Sequence, residues 1–548
     1  MLDRDEIDAL FPADVSEPAH WEQRFPPREL SAGAEVTRFC PSPTGFAHIG
    51  GIYVAMLDKS IARQSDGAYF IRIEDTDQAR EVEGAVDQFR RAFGYFDVES
   101  DENDDSGAYG PYLQSRRARI YWTYVREFLR HDRAYLCFAS KEELAAAAEE
   151  QRAEKVPTGY YGRWAIWRDA PADRVRERLA AGEPYVVRFR SPGAVVGRIA
   201  YTDLIRGTLE AEDNRNDVVI LKSSANALRL PTYHFAHVVD DHLMRVSTVI
   251  RGEEWLSSVP THLQLFDAAG FERIPYAHIA PLMKQEGSSR RKLSKRKDPE
   301  ANVEFYITAG YPADGVLYYL RCLANARLSE LPVAQALREP LRLGECGVAG
   351  PLVDLIKLED ITADLIAAMP SADILEQVTA WAAEFDPELR HALAAEPGVA
   401  LRALAIEREG VDNPRKDLRK WSDFRAVYGY FFDALFTPAS DPHDERFGGI
   451  DPADITRLCT GLLADYQSLE DSDAWFGQLR AAAEANGFAS SVKEYKKDPG
   501  AYVGSIREAS QIVRVLLTGS TRSPDMHLVA AVLGEDEVRR RIGAVLPG

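Results

Sequence analysis

The chain has 548 residues, too many for one hydrophobic core and enough for several domains. Its 45% hydrophobic and 28% charged residues, with no apolar run near the ~18 residues of a membrane span, exclude a membrane protein and predict a soluble globular one. A formal net charge of −20, from 66 Lys and Arg against 86 Asp and Glu, argues against diffuse nucleic-acid binding, so a polyanion would have to be held by local basic clusters.

Residues 1–35 begin acidic and lack the basic-then-apolar pattern of a signal peptide, and they read as an N-terminal extension. Val36 to Cys40 alternate like a short strand, and Pro41 and Pro43 then make the chain turn. From His48 onward Ile49, Ile52, Tyr53 and Met56 recur at helical spacing up to Asp66-Gly67, so His48 lies in the first turn of a helix. A helix start offers free N–H groups and a positive dipole end to an anion; Gly45, Gly50 and Gly51 let a nucleotide approach the backbone, and His48 adds a donor. A plain Pro/Gly turn followed by a histidine would look the same in isolation. The strand AYFIRIED brings Glu74 to its C-terminal edge, where doubly wound sheets bind ligands, and a helix follows across Gly84 to Phe96. This βαβα run implies a parallel sheet.

The acidic stretch 97–110 reads as a solvent loop. Residues 116–228 mix helices (Arg117–His131, Lys141–Glu154) with strands (Tyr185–Arg190, Asp217–Lys222), and residues 229–270 return to sheet-like patterning in HFAHVVDDH and RVSTVIRG. In HVVDDH, His237, Asp240, Asp241 and His242 could be taken for metal ligands, but their spacing matches no zinc pattern, and no metal is expected there. RRKLSKRK at 290–297 sets Lys292 and Lys295 around Ser294, ammonium donors suited to a polyphosphate whose charge grows as pyrophosphate leaves. Alone it would be read as a solvated basic run or a general anion patch. From about residue 352 onward apolar periodicity with Ala, Leu and Arg predicts helices throughout. Four basic clusters stand out: Arg116–Arg119, Arg290–Lys297, Pro414–Lys420 and Arg539–Arg541, the last expected to be a solvated face. Cys40, Cys137, Cys322, Cys346 and Cys459 form no CxxC pair, which fits a reducing cytoplasm.

CPSPTGFAHIGG at 40–51, RIEDTD, GPYLQSRR, PTYHFAHVVDDH, IRGEEW and KLSKRK, in this order, resemble the motifs of class I aminoacyl-tRNA synthetases and, among them, the bacterial glutamyl-tRNA synthetases. The resemblance runs from about Val36 to the C-terminus, where IVRVLLTGSTRSPDMHLVAAVLGEDEVRRRI is similar to the family's closing segment. It implies an α/β fold: a Rossmann-like catalytic domain over 36–115 and 229–270, and an α+β connective insertion over 116–228 that grips the tRNA acceptor end. A linking domain with the KLSKR loop would cover 271–335 and an all-α anticodon-binding region 336–548, with 1–35 ahead of the family's usual start.

The implied activity is ATP-dependent activation of L-glutamate, then transfer from the adenylate to the 2′-OH of the terminal adenosine of tRNA(Glu), with tRNA(Gln) as a second candidate acceptor. By resemblance His48, Lys292 and Lys295 stabilise phosphate charge, and Gly45, Gly50, Gly51, Glu254, Trp255 and Ser294 complete the ATP site. Arg38 and Arg251 bind carboxylates, Glu74 with Ser42 beside it takes the α-ammonium, and Tyr233 offers a hydroxyl; HVVDDH is a sheet edge facing substrate. His237 stands where most bacterial glutamyl enzymes carry asparagine, as in the glutaminyl relatives, but Arg251 argues for glutamate, because a neutral amide would leave a buried guanidinium unpaired. Gly51 stands where many class I enzymes have a histidine. ATP would bring Mg²⁺; Cys137 stands alone where some relatives cluster cysteines around zinc, so no structural zinc is expected. The protein is expected to be a cytoplasmic monomer. An inactive or repurposed tRNA-binding paralogue would be expected to lose His48, Lys295 or Glu74, and all three are present. A nucleotidyltransferase or a tRNA-modifying glutamyl transferase would have no use for the long helical half.

Overall fold

The computed structural model describes residues 2–43, 45–77, 80, 82–193 and 197–547. The chain divides into two compact units, Met1–Phe305 with Leu317–Asp354, and Tyr306–Val316 with Leu355–Gly548. No helix among the described residues is long and apolar enough to cross a membrane.

The first unit begins with the N-terminal extension, which is built into its core. Helix α1 (Arg4–Asp8) starts with a reciprocal Asp3–Glu6 capping box and α2 (Pro18–Arg24) with proline in its first turn. Ile7, Phe11, Val15 and Phe25 are buried in the same cluster as Tyr121, Val125 and Phe128. Polar anchors hold the extension to the helix Ala118–Arg130, which carries these three: Trp21 Nε1 donates to Thr123 Oγ1 at 3.0 Å, Arg126 Nη1 to the Val15 carbonyl at 3.1 Å, and Arg130 pairs with Asp8 and Glu17. Arg28 forks onto Glu102 at 2.9 and 3.0 Å.

The predicted βαβ unit follows. Strand β1 (Val36–Phe39) pairs in parallel with β2 (Ala68–Ile71), Val36 opposite Ala68 and Phe39 opposite Ile71. Helix α3 (Ile49–Gln64) joins them and buries Ile52, Tyr53 and Met56; α4 (Ala85–Tyr95) comes next. Helix α5 (Ala118–Arg130) leads into β3 (Ala134–Cys137), and helices α6 (Lys141–Ala153) and α7 (Ala172–Ala180) precede β4 (Val186–Phe189). Strand β5 (Arg198–Asp203) forms a hairpin with β6 (Gly207–Glu212), and β7 (Val219–Leu221) completes the antiparallel set β3-β4-β7.

HFAHVVDDH is helix α8 (Tyr233–Leu243), which corrects the sheet-edge reading. Phe235, Ala236, Val238, Val239 and Leu243 are buried along with His237, Asp240 and Asp241, so the helix has little polar face and its apolar run imitates a strand. Strand β8 (Val249–Gly252) then pairs in parallel with β9 (Tyr276–Ile279), across helix α9 (Val259–Ala269). The sheet order is β6-β5-β9-β8, so β5 and β6, which lie within 116–228, extend the same sheet as 249–279. The Ser247 N–H donates to the Val36 carbonyl at 2.9 Å and brings β1 alongside β8. A two-stranded hairpin, β10 (Met283–Glu286) and β11 (Ser289–Lys292), carries the start of the basic motif.

The second unit is almost wholly helical, with one core around Ile374, Leu404 and Phe424 and another around Leu458, Trp475 and Leu516. One charge expectation changes in part. Arg541 is fully buried, donating to the Leu517 carbonyl and pairing with Glu537, and so leaves the solvated face on which the Arg539 and Arg540 side chains stay 38% and 50% exposed. Lys416 pairs with Asp364 at 2.7 Å, and Arg419 and Lys420 share Glu359 at 2.8 and 3.2 Å.

Candidate active site

A cavity of about 380 Å³ opens where the C-terminal ends of β1 and β8 meet, the position at which open α/β sheets bind ligands. Its lining holds both groups expected from the sequence: an amino-acid side of Arg38, Ser42, Glu74, Tyr233 and Arg251, and a nucleotide side of His48, Gly50, Gly51, Glu254, Trp255 and Lys292, the two touching where Tyr233 meets Trp255. Residues some 200 positions apart in the chain are thereby brought into one site.

The first side is held by buried charge. Arg38, 3% exposed, donates from Nε to Asp241 Oδ2 at 3.1 Å and from Nη1 to the Ile250 carbonyl at 3.3 Å. Arg72, also buried, reaches Asp241 Oδ1 at 2.6 Å and Glu74 Oε1 at 3.2 Å. Burial disfavours the Asp241 charge, but Arg38 and Arg72 hold its carboxyl well below the usual range. Glu74 is in the opposite balance: burial raises it despite Arg72 and Arg38, so a cation arriving beside it gains a carboxylate that the protein has only partly neutralised. Asp240 pairs with Arg117 at 2.7 Å and accepts from Tyr121 at 2.7 Å. The Asp240–Asp241 pair in HVVDDH therefore serves arginines. Asp75 is turned away, accepting from the Ser115 backbone N–H at 2.8 Å.

Arg251, 6% exposed, is held differently. Its Nε donates to His278 Nε2 at 3.0 Å and its Nη1 to the Tyr233 hydroxyl at 3.2 Å, while Nη2 lies 3.3 Å from His262 Nδ1. Tyr233 packs on Trp255 with ring centroids 4.1 Å apart. His237 is fully buried and absent from the cavity wall: it lies behind Tyr233, nearly parallel to its ring, with Nε2 2.9 Å from the Tyr276 hydroxyl. Its Nδ1 sits 2.9 Å from Asp241 Oδ2 without the alignment of a hydrogen bond.

The second side is built on a turn and a hairpin. His48 is the N-cap of α3, its Nδ1 accepting from the Gly50 N–H at 2.8 Å, which leaves the ring proton on Nε2. A Cβ on Gly50 would stand 3.0 Å from that Nδ1, so glycine keeps the cap in place. Burial pushes the His48 imidazole down to about 4, with Lys295 adding to the effect, so the ring is a neutral donor. Lys295 donates to the Phe46 carbonyl in the first motif and lies beside Gly45; burial lowers its ammonium as well. Lys292 is 3.4 Å from Glu254. Ser294 has its backbone N–H on Asp298 at 2.9 Å, and Arg291 clasps the same carboxylate at 2.6 and 2.8 Å, holding Asp298 at about 2. This clasp shapes the KLSKR turn.

Sequence reasoning did not find Arg72, Asp203, His262, Tyr276, His278 or Asp298. Arg72 and Asp298 sit inside the quoted motifs or next to them, but their partners are set by the fold.

A model of the catalytic domain of class I tRNA synthetases (E and Q) matches residues 35–331, and one of an anticodon binding domain matches 467–546. The chain is 40% identical over 542 residues to a glutamate--tRNA ligase of Clostridium perfringens, covering 97% of this chain and 98% of that one. It is 39% identical to one of Acetivibrio thermocellus, with 98% and 99% covered. A crystal structure of a glutamate tRNA ligase from Elizabethkingia meningosepticum, in complex with its amino acid, superposes with a TM-score of 0.75 at 26% identity, covering 93% of this chain and 99% of that one. With its catalytic and anticodon-binding regions both matched and its full-length relatives sharing one name, this chain belongs to the glutamate--tRNA ligase family of class I tRNA synthetases.

Proposed function

We propose that this enzyme activates L-glutamate with ATP and transfers the glutamyl group to the terminal ribose of tRNA(Glu), as a cytoplasmic monomer. The observation that carries the reading is the convergence of one anionic and two cationic side chains, Glu74, Arg38 and Arg251, in a cavity whose other wall is the His48 helix start and Lys292. Glutamate needs such a set: a carboxylate for its ammonium and guanidinium groups for its two carboxylates, all desolvated.

Glu74 and Ser42 take the α-ammonium and Arg251 with Tyr233 takes the side-chain carboxylate. Arg38 keeps the positive field over the α-carboxylate while its own counter-charge, Asp241, holds it in place. The α-carboxylate attacks the α-phosphorus of ATP, and no protein nucleophile is required. The neutral His48 Nε2–H, the N–H groups opening α3, and the ammonium groups of Lys292 and Lys295 meet the charge that develops on the phosphates. Glu254 and Trp255 border the adenosine end, and Mg²⁺ enters with ATP. The ribose hydroxyl then takes the acyl group from the adenylate. The test is ATP–pyrophosphate exchange with tRNA present, followed by charging of purified tRNA(Glu) and tRNA(Gln) with labelled glutamate. Glutamate-dependent exchange and charging of tRNA(Glu) are expected, and the absence of both would overturn the reading.

A further inference from the structure

Arg251 differs from Arg38, the other arginine lining the cavity, and from the buried Arg72 and Arg117 outside its lining. Arg38, Arg72 and Arg117 each lie against Asp240 or Asp241, whereas among the described residues Arg251 has no carboxylate within ion-pair distance. Its partners are two histidines, a tyrosine hydroxyl, the Trp255 carbonyl at 3.5 Å and the face of the Tyr276 ring at 4.6 Å, all of them uncharged. A buried guanidinium with only neutral partners keeps its charge for a ligand, but it also has nothing of opposite charge to fix its direction.

The sheet supplies that direction at one remove. On β8 and β9 Arg251 and His278 are register partners, and Asp203 on β5 is opposite Tyr276, two residues before His278, so the three side chains share one face of three adjacent strands. His278 Nδ1 lies 2.7 Å from Asp203 Oδ2, and His278 Nε2 receives the Arg251 Nε–H at 3.0 Å. Asp203 also accepts the backbone N–H groups of Ile205 and Arg206, both at 3.0 Å, and of His278 at 3.1 Å. A carboxylate with these donors has no proton to give, so the imidazole proton must sit on Nδ1 and the lone pair on Nε2. The tautomer is thus fixed by Asp203, and with it the acceptor that aims Arg251.

We propose that Asp203 and His278 are positioning residues for substrate choice: they turn Arg251 so that its two Nη groups face the side-chain carboxylate of the amino acid, and so favour a carboxylate over a carboxamide. The proposal rests on the assignment of Arg251 to that carboxylate. In Asp203→Asn the tautomer is no longer imposed, and a proton on Nε2 would face the Arg251 Nε–H. In His278→Asn the amide can still serve Asp203 but no longer reaches Arg251. In His278→Gln the amide oxygen replaces Nε2.

Exchange kinetics with glutamate and with glutamine should separate these roles. Arg251→Ala should collapse the glutamate-to-glutamine ratio of kcat/KM; if it does not, the assignment of Arg251 is wrong, whatever the other variants do. Given that collapse, Asp203→Asn and His278→Asn should raise the KM for glutamate by roughly tenfold or more, with kcat and the KM for ATP changed much less, and His278→Gln should recover most of the loss. A general structural role would instead lower all parameters and the melting temperature together. The double variant Asp203→Asn/Arg251→Ala decides even if a single variant is poorly stable: relative to Arg251→Ala it should show no further change in the ratio. An unchanged glutamate KM in both Asp203→Asn and His278→Asn, or an additive loss in the double variant, would overturn the proposal.

Discussion

The two sides of the cavity are built on opposite terms. On the amino-acid side Arg38, Arg72 and Asp241 have almost no solvent exposure and brace one another across strands and helix α8. On the nucleotide side the Lys292 side chain is 57% exposed, its Glu254 partner is 52% exposed, and the loop beyond is shaped by Asp298, which takes Arg291 and the Ser294 N–H. The difference follows from what each side must do. Telling a carboxylate from an amide of the same shape demands charges fixed before the ligand arrives, since any motion lets a wrong ligand be solvated. Meeting charge that moves from attacking carboxylate to leaving pyrophosphate is served by ammonium groups on a loop that can follow it.

The amino-acid side depends most on Asp241. Asp241→Ala leaves the buried Arg38 with no carboxylate partner among the described residues and takes one of three from Arg72, and removing one partner of such a cluster costs about 3–5 kcal/mol. Urea unfolding should show that loss, and a cost under about 1 kcal/mol would mean the amino-acid side is not braced as described. Lys295→Ala is the counterpart. It should slow activation by roughly 10²–10³, the effect of losing one donor to the developing phosphate charge, with stability and glutamate KM nearly unchanged. A wild-type exchange rate would remove Lys295 from the reaction.

Acid tests both sides together. His48 on the nucleotide side and His237 behind Tyr233 are each pushed down to about 4, by burial above all. In the unfolded chain such rings titrate near the ordinary ~6.5. Above that value both states are neutral and stability is fully present. From 6.5 down to 4 only the unfolded chain gains protons, so stability falls as the solution is acidified. Each ring contributes about 1.5 kcal/mol to the loss between pH 6.5 and 5. His237→Asn should lose that much less over the same interval by urea unfolding; an identical pH slope would show that His237 already carries a proton in the fold.

What was legible in the sequence tracks how local the cause is. The His48 helix start could be read because Pro41, Pro43 and the spacing of Ile49, Ile52, Tyr53 and Met56 specify a turn and a helix within 20 residues or so. The end of β2 near Glu74 could be read for the same reason. Helix α8 could not, because burial on nearly all sides erases the period that separates a helix from a strand. Asp241 and His278 could not be assigned either: their partners Arg38, Arg72 and Asp203 lie far away in the chain and no local pattern announces them. The N-terminal extension was opaque because its anchors, Trp21 on Thr123 and Arg126 on Val15, exist only once α5 is in place.

The smallest expected effect concerns exposed cations. Lys416 and Arg419 in the second unit are 51% and 54% exposed, close to Lys292, so exposure does not separate a charge kept for a ligand from one already in use. Location does. Lys292 and its partner Glu254 both line the cavity, whereas Lys416, Arg419 and Lys420 are matched to Asp364 and Glu359 on the neighbouring helix Leu355–Ala367. Such surface pairs are each worth about 0–1 kcal/mol, so losing them costs little stability. Replacing all three with glutamine should therefore leave stability within about 1 kcal/mol. If the carboxylates keep them, the slope of log affinity for tRNA against log salt should also change by less than one phosphate contact. A slope flatter by ~0.7–0.9 for each residue removed, measured by filter binding, would show that all three exchange their carboxylates for the tRNA backbone.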